Sequence, residues 1–237
     1  MKLGFTLPII GPAIRSAAGL SGFCRGIEDL GYDTLWGRVR LNASTLSTFY
    51  WEPPHLARML TTLDVLSNGR LEVGVGLGWM KDEHDICRSA DWHRRGRMLD
   101  DLLAFLYEWW TANPVSWDSE FFSLPPVHAD LRPVQAGGPP IWIGGTSEAA
   151  MRRVGRSATG WLGIDFLPDE VADQLWLLAR QAAQGAGRDP DALKKAIRIN
   201  LEPGTSVGSL ADKLKRLAES GADEAFVDAF ALFPDLE

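Results

Sequence analysis

Two segments combine residue types and spacings that could do chemistry. In Pro139-P-I-W-I-G-G-T-S-E-A-A-M-R-Arg153 an apolar strand ends in Gly144-Gly145, and Thr146 or Ser147 then caps a helix. Free backbone N–H groups, a helix N-terminus and a hydroxyl together make an anion site. The same residues also read as an ordinary helix cap, with glycine supplying the turn. In Leu71-E-V-G-V-G-L-G-W-M-K-D-E-H-Asp85, Gly74, Gly76 and Gly78 alternate along a strand and its exit. Alternate glycines either make room for bulky neighbours or mark the close approach of a ligand. The spacing is G-x-G-x-G, not G-x-G-x-x-G, and the acidic partner of a dinucleotide fingerprint is missing from its usual place.

Other chemistry-bearing groups are weaker signals. Asp82, Glu83, His84 and Asp85, with Cys87 and His93, lack H-E-x-x-H or C-x-x-C spacing. Acids at the start of a helix are explained by its dipole, so no metal is expected. His55 and His128 are lone histidines without a visible partner. No Ser–His–Asp order, P-loop or carboxylate pair is present, and the catalytic residues stay unassigned. A chain without an evident nucleophile points to chemistry done by a bound organic cofactor.

The 237 residues, 46% hydrophobic and 23% charged, fit an ordinary globular protein. The net charge of −7 is spread along the chain, which argues against nucleic acid as a partner. No apolar run is long enough to span a bilayer, and no signal-peptide cleavage site follows the N-terminal MKLGFTLPIIGP. The two cysteines, Cys24 and Cys87, form no disulfide framework, so a cytoplasmic location is expected. Ten tryptophans suggest an aromatic-walled pocket or interface.

Strands and helices must position these groups. Strand-like segments fall at Leu3–Leu7, Asp33–Trp36, Val39–Ser44, Leu71–Leu77, Pro140–Ile143, Gly160–Ile164, Ile197–Leu201 and Glu224–Val227. Helical spacing marks Ala13–Leu30, Pro54–Leu66, Asp91–Trp110, Ser147–Arg156, Val171–Gln184 and Ser209–Glu219. Eight strands, most of them followed by a helix, predict one α/β domain over 1–237, a TIM (β/α)8-type barrel. Residues Thr111–Gly138, rich in Pro and Gly and without clean periodicity, read as one long excursion over the barrel top.

Leu63-D-V-L-S-N-G-R-L-E-V-G-V-G-L-G-Trp79, followed by Lys81-D-E, resembles the luciferase-like monooxygenase family. So does Pro133-V-Q-A-G-G-P-P-I-W-I-G-G-T-S-E-A-A-M-R-R-V-G-R-S-A-T-G-Trp161. Within the family the pattern is most similar to deazaflavin (F420)-dependent oxidoreductases. The resemblance implies hydride transfer between F420 and a small organic substrate. An FMN-dependent monooxygenase and a non-catalytic flavin- or deazaflavin-binding protein are the alternatives. It further implies a cofactor held by Ala43, Ser44 and Thr45 at the third strand's end, and by Gly76, Gly78 and Trp79 at the fourth. Gly144, Gly145, Thr146 and Ser147 would hold the cofactor's tail, and Gly160 and Trp161 match the sixth strand. A bulge and a non-proline cis peptide are expected at Ser44–Thr45. Trp36, Trp79, Trp142 and Trp161 are candidate aromatic walls, with core packing expected for at least two of them.

Two departures from the family matter. Where its sugar-phosphate dehydrogenases carry an acid, this sequence has Trp79, which disfavours that substrate. Between Asp33–Trp36 and Val39–Ser44 only Gly37-Arg38 remains, whereas parallel strands need a crossover of about a dozen residues. The helix between strands 2 and 3 and the last barrel helix are therefore expected to be missing from this chain, and the native protein to be longer. Bare helix-binding faces would also suit a homodimer.

Overall fold

The computed structural model describes residues 2–5, 41–87 and 92–228. In chain order these form β1 (Lys2–Phe5), β2 (Leu41–Ser47), α1 (Pro53–Leu66), β3 (Leu71–Gly76) and α2 (Lys81–Ile86). There follow α3 (Arg95–Thr111), β4 (Val115–Asp118), β5 (Ser123–Val127), β6 (Ile141–Gly144) and α4 (Glu148–Ser157). The last are β7 (Gly160–Ile164), α5 (Asp169–Gly185), β8 (Lys194–Asn200), α6 (Val207–Glu219) and β9 (Glu224–Asp228). The expected strand at Asp33–Trp36, the helix at Ala13–Leu30 and the Gly37-Arg38 junction lie outside the described residues, as does everything after Asp228. The other expected strands and helices are present, with ends displaced by a few residues.

The described residues divide into two compact units, one of 41–160 and 175–193, the other of 2–5, 161–174 and 194–228. In the first, β2, β3 and β6 are parallel neighbours in the order β2-β3-β6. Every residue of β3 is buried, as expected of a parallel strand covered on both faces. Helix α1 starts on Pro53-Pro54, whose fixed φ suits the first turn. It turns inward Leu56, Ala57 and Leu60, each such buried aliphatic side chain of Leu size contributing about 1.5–3 kcal/mol. It stops where Asn68 and Gly69 take φ of 55° and 73°, letting the Gly69 N–H donate to the Asp64 carbonyl at 2.9 Å.

Residues 111–138 do not form a plain loop. They hold an antiparallel hairpin, β4 against β5, that packs on α3. Phe105 of α3 meets Trp117 and Phe122 edge-on, with ring centroids 5.7 and 4.9 Å apart. Asp101 of α3 accepts from Trp117 Nε1 at 3.3 Å and Ser119 Oγ at 3.1 Å. Pro125 and Pro126 obscure β5 in the sequence, because proline is tolerated in sheets mainly on edge strands such as this one. The far end of the excursion is tied down by the buried Asp64 carboxylate. It accepts from the backbone N–H of Gln135 at 3.1 Å and from Gln135 Nε2 at 2.8 Å.

Helix α4 is fixed from two sides. Arg153, almost fully buried, donates through Nε to Asp100 of α3 at 2.6 Å. Gly155 lies so close to α5 that a Cβ there would stand 2.2 Å from the Ala179 carbonyl oxygen. Arg188 donates to the Ala158 carbonyl at 2.6 Å and so satisfies the C-terminal end of α4.

In the second unit the strand order is β1-β9-β8-β7, with β1 and β8 parallel to β9. Trp161 is fully buried, and the bare Gly163 admits the Ile197 side chain, whose Cδ1 would stand 2.7 Å from a Cβ there. Lys195 is buried too: its Nζ donates to the Ser220 carbonyl at 2.7 Å, and desolvation lowers its pKa.

The Gly155 contact yields a stability test. Gly155→Ala must push α4 off α5 and is expected to cost about 1–3 kcal/mol of unfolding free energy, measured by urea denaturation.

Candidate functional site

The carboxyl ends of β2, β3 and β6 lie side by side in the first unit. Alternation along β6 puts Trp142 and Gly144 on one face and Ile141 and Ile143 on the other. The register pairs Gly74 with Trp142, so Gly74 and Gly76 share that face. The pairing of β2 with β3 slips between Ala43 and Leu46, a β-bulge spanning Ser44 and Thr45. The register shift falls where the family resemblance implies a bulge. The side chains of Ala43 and Ser44, and with them the peptide conformation expected at Ser44–Thr45, lie outside what is described.

Thr45 sits over two glycines. A Cβ on Gly76 would stand 2.9 Å from Thr45 Oγ1, and a Cβ on Gly144 would stand 3.0 Å from Thr45 Cγ2. The exposed threonine thus occupies space that only glycine leaves open at both strand ends. Of the two readings of the alternate glycines, room for a neighbour is the one seen at Gly76.

Beyond these ends the chain turns sharply. Gly78 has φ of 67° and Gly145 has φ of 124°, values that favour glycine. Trp79, next after Gly78, is 86% exposed. Thr146 and Ser147 are exposed as well, and Ser147 caps α4 by accepting from the Ala150 N–H at 3.2 Å. Glu148 fills the first turn of α4 and pairs with Arg152 at 2.7 Å, so the helix dipole already faces one carboxylate.

The structure gathers Thr45, Gly76 and Gly144 at one place, with Gly78 and Trp79 leading out of β3 and Gly145, Thr146 and Ser147 leading out of β6. Gly160 starts β7, while Trp161 is buried in the second unit beside Gly163. Trp142 is only 1% exposed, and its indole N–H has no hydrogen-bond partner among the described residues. Both tryptophans pack in the core, whereas Trp79 faces solvent. Trp36 lies outside the described residues.

One pair escaped the sequence reading. Tyr50, in the 3-10 turn Thr48–Tyr50 after β2, lies within electrostatic reach of Glu83 of α2. Desolvation, then the Glu83 carboxylate and the Cys87 thiol, push its phenol up to about 12. The partners are 33 positions apart, and no local pattern links them. His84, also buried, meets Trp92 edge-on at 5.2 Å. Among the described residues no three His, Cys, Asp or Glu come together to hold a metal, and no helix is long and apolar enough to cross a membrane.

Parallel strands with a glycine-lined carboxyl end, flanked by helices, define an α/β fold with a parallel half-barrel sheet, similar to that of TIM-barrel enzymes. An F420-dependent secondary alcohol dehydrogenase, solved with an F420–acetone adduct, has a TM-score of 0.73 at 14% identity, covering 99% of this chain and 88% of that one. A monooxygenase from Streptomyces bottropensis has a TM-score of 0.68 at 24% identity, covering 93% and 79%. At these identities the likeness speaks to the fold. The chain belongs to the luciferase-like monooxygenase family, whose pattern matches residues 37–227. An uncharacterized protein of Mycobacterium tuberculosis (strain H37Rv) is 33% identical over 187 residues, 79% of this chain and 62% of that protein. A phthiodiolone/phenolphthiodiolone dimycocerosates ketoreductase of Mycobacterium sp. (strain JLS) is 30% identical over 173 residues, 72% and 45%. The chain thus spans less than two thirds of these curated relatives.

Two outcomes test this geometry. Gly76→Ala is expected to lose about 1–3 kcal/mol of stability, and adding Thr45→Ala should restore most of it if Thr45 is the obstacle. For Tyr50 the folded pKa lies above the unfolded value, so its contribution to stability is complete below pH 10 and is lost as the pH rises toward 12. Thermal melts over that range should fall less steeply for Tyr50→Phe than for the unaltered protein.

Proposed function

We propose that this chain is an F420-dependent oxidoreductase, with the deazaflavin lying across the carboxyl ends of β2, β3 and β6. The observation that carries the reading is Thr45 packed against Gly76 and Gly144, at strand ends followed by the positive-φ glycines Gly78 and Gly145. In this reading the exposed Thr45 side chain, with its methyl and hydroxyl, would be the surface a planar ring meets. In this reading Ala43, Ser44, Thr45, Gly76, Gly78 and Trp79 bound the ring, and Gly144, Gly145, Thr146 and Ser147 hold the tail through backbone N–H groups. The resemblance further implies Gly160 and Trp161 in cofactor binding. The Ser147 hydroxyl accepts from its own helix and still has its proton to donate.

When bound, F420 accepts or returns a hydride at C5. A secondary alcohol would give up the hydride from its carbinol carbon and its hydroxyl proton to a base, leaving a ketone; the reverse consumes both. The ketoreductase relative and the alcohol dehydrogenase neighbour support a carbonyl–alcohol couple. The FMN-dependent monooxygenase reading draws on a structural neighbour, the oxygenating constituent of 3,6-diketocamphane monooxygenase from Pseudomonas putida in complex with FMN, with a TM-score of 0.67 at 17% identity.

The test is an absorption spectrum of the protein after mixing with F420 or FMN and gel filtration. Co-elution of F420, bleached by a secondary alcohol, is the expected result. FMN co-eluting alone would favour the monooxygenase, F420 retained without any bleaching would favour a binding protein, and no chromophore at all would overturn the cofactor reading.

A further inference from the structure

We draw no further inference here: the strongest candidate, the apolar groove along the outer face of α1 lined by Pro54, His55, Arg58, Met59, Thr62 and Leu63, has nothing in the structure to show what covers it.

Discussion

A β-branched side chain at the end of a parallel strand needs room that its neighbours normally fill. Thr45 has that room because Gly76 and Gly144, at the ends of the adjoining strands, carry no Cβ. The bulge between Ala43 and Leu46 lies at the same point, shifting the register of β2 on β3 where Thr45 sits. Two further glycines, Gly78 and Gly145, then take conformations that other residues rarely adopt and carry the chain off the sheet. Steric exclusion at one threonine therefore links three strand ends.

That arrangement is useful only if the strand ends are held still, and the polar interior does much of the holding. Asp64 joins the end of α1 to the return of the long excursion through Gln135, which also donates to the Leu71 carbonyl at the start of β3. Arg153 and Arg188 satisfy a carboxylate and a set of helix-terminal carbonyls around α4. Truncating a buried partner in such a network leaves a desolvated charge or carbonyl unpaired, which costs more than the bond contributed. The Leu63–Arg70 run thus reads as a structural device, in which Asp64, Ser67, Asn68 and Gly69 end a helix and pin a loop.

Most elements were legible because their signals are local. Pro53-Pro54 before α1, the apolar run of β3 and the Ser147 cap of α4 each act within a few residues. The hairpin of residues 115–127 was not legible, since its stability comes from Phe105 on another helix and its prolines break the strand pattern. At the site, glycines, bulge and cap could be read, while the contact that gives them meaning joins residues 31 and 99 positions apart. The proximity of Tyr50 to Glu83 is invisible for the same reason. Of the four tryptophans singled out, spacing could not separate exposed Trp79 from buried Trp142 and Trp161, because burial is decided by what packs above them.

The two meanings of the alternate glycines, space for a neighbour and approach of a ligand, are usually weighed against each other. Here one supports the other. If Gly76 and Gly144 left an open slot, a planar group could slide between the strands and be held by shape alone. Thr45 fills that slot, so under the proposed cofactor reading a planar group would rest against the threonine instead of between the strands. An alanine at either glycine would tilt Thr45 and roughen the surface without touching any ligand directly. The glycines thus act at one remove, through the side chain they accommodate, and the position of the threonine sets the shape of this end of the sheet.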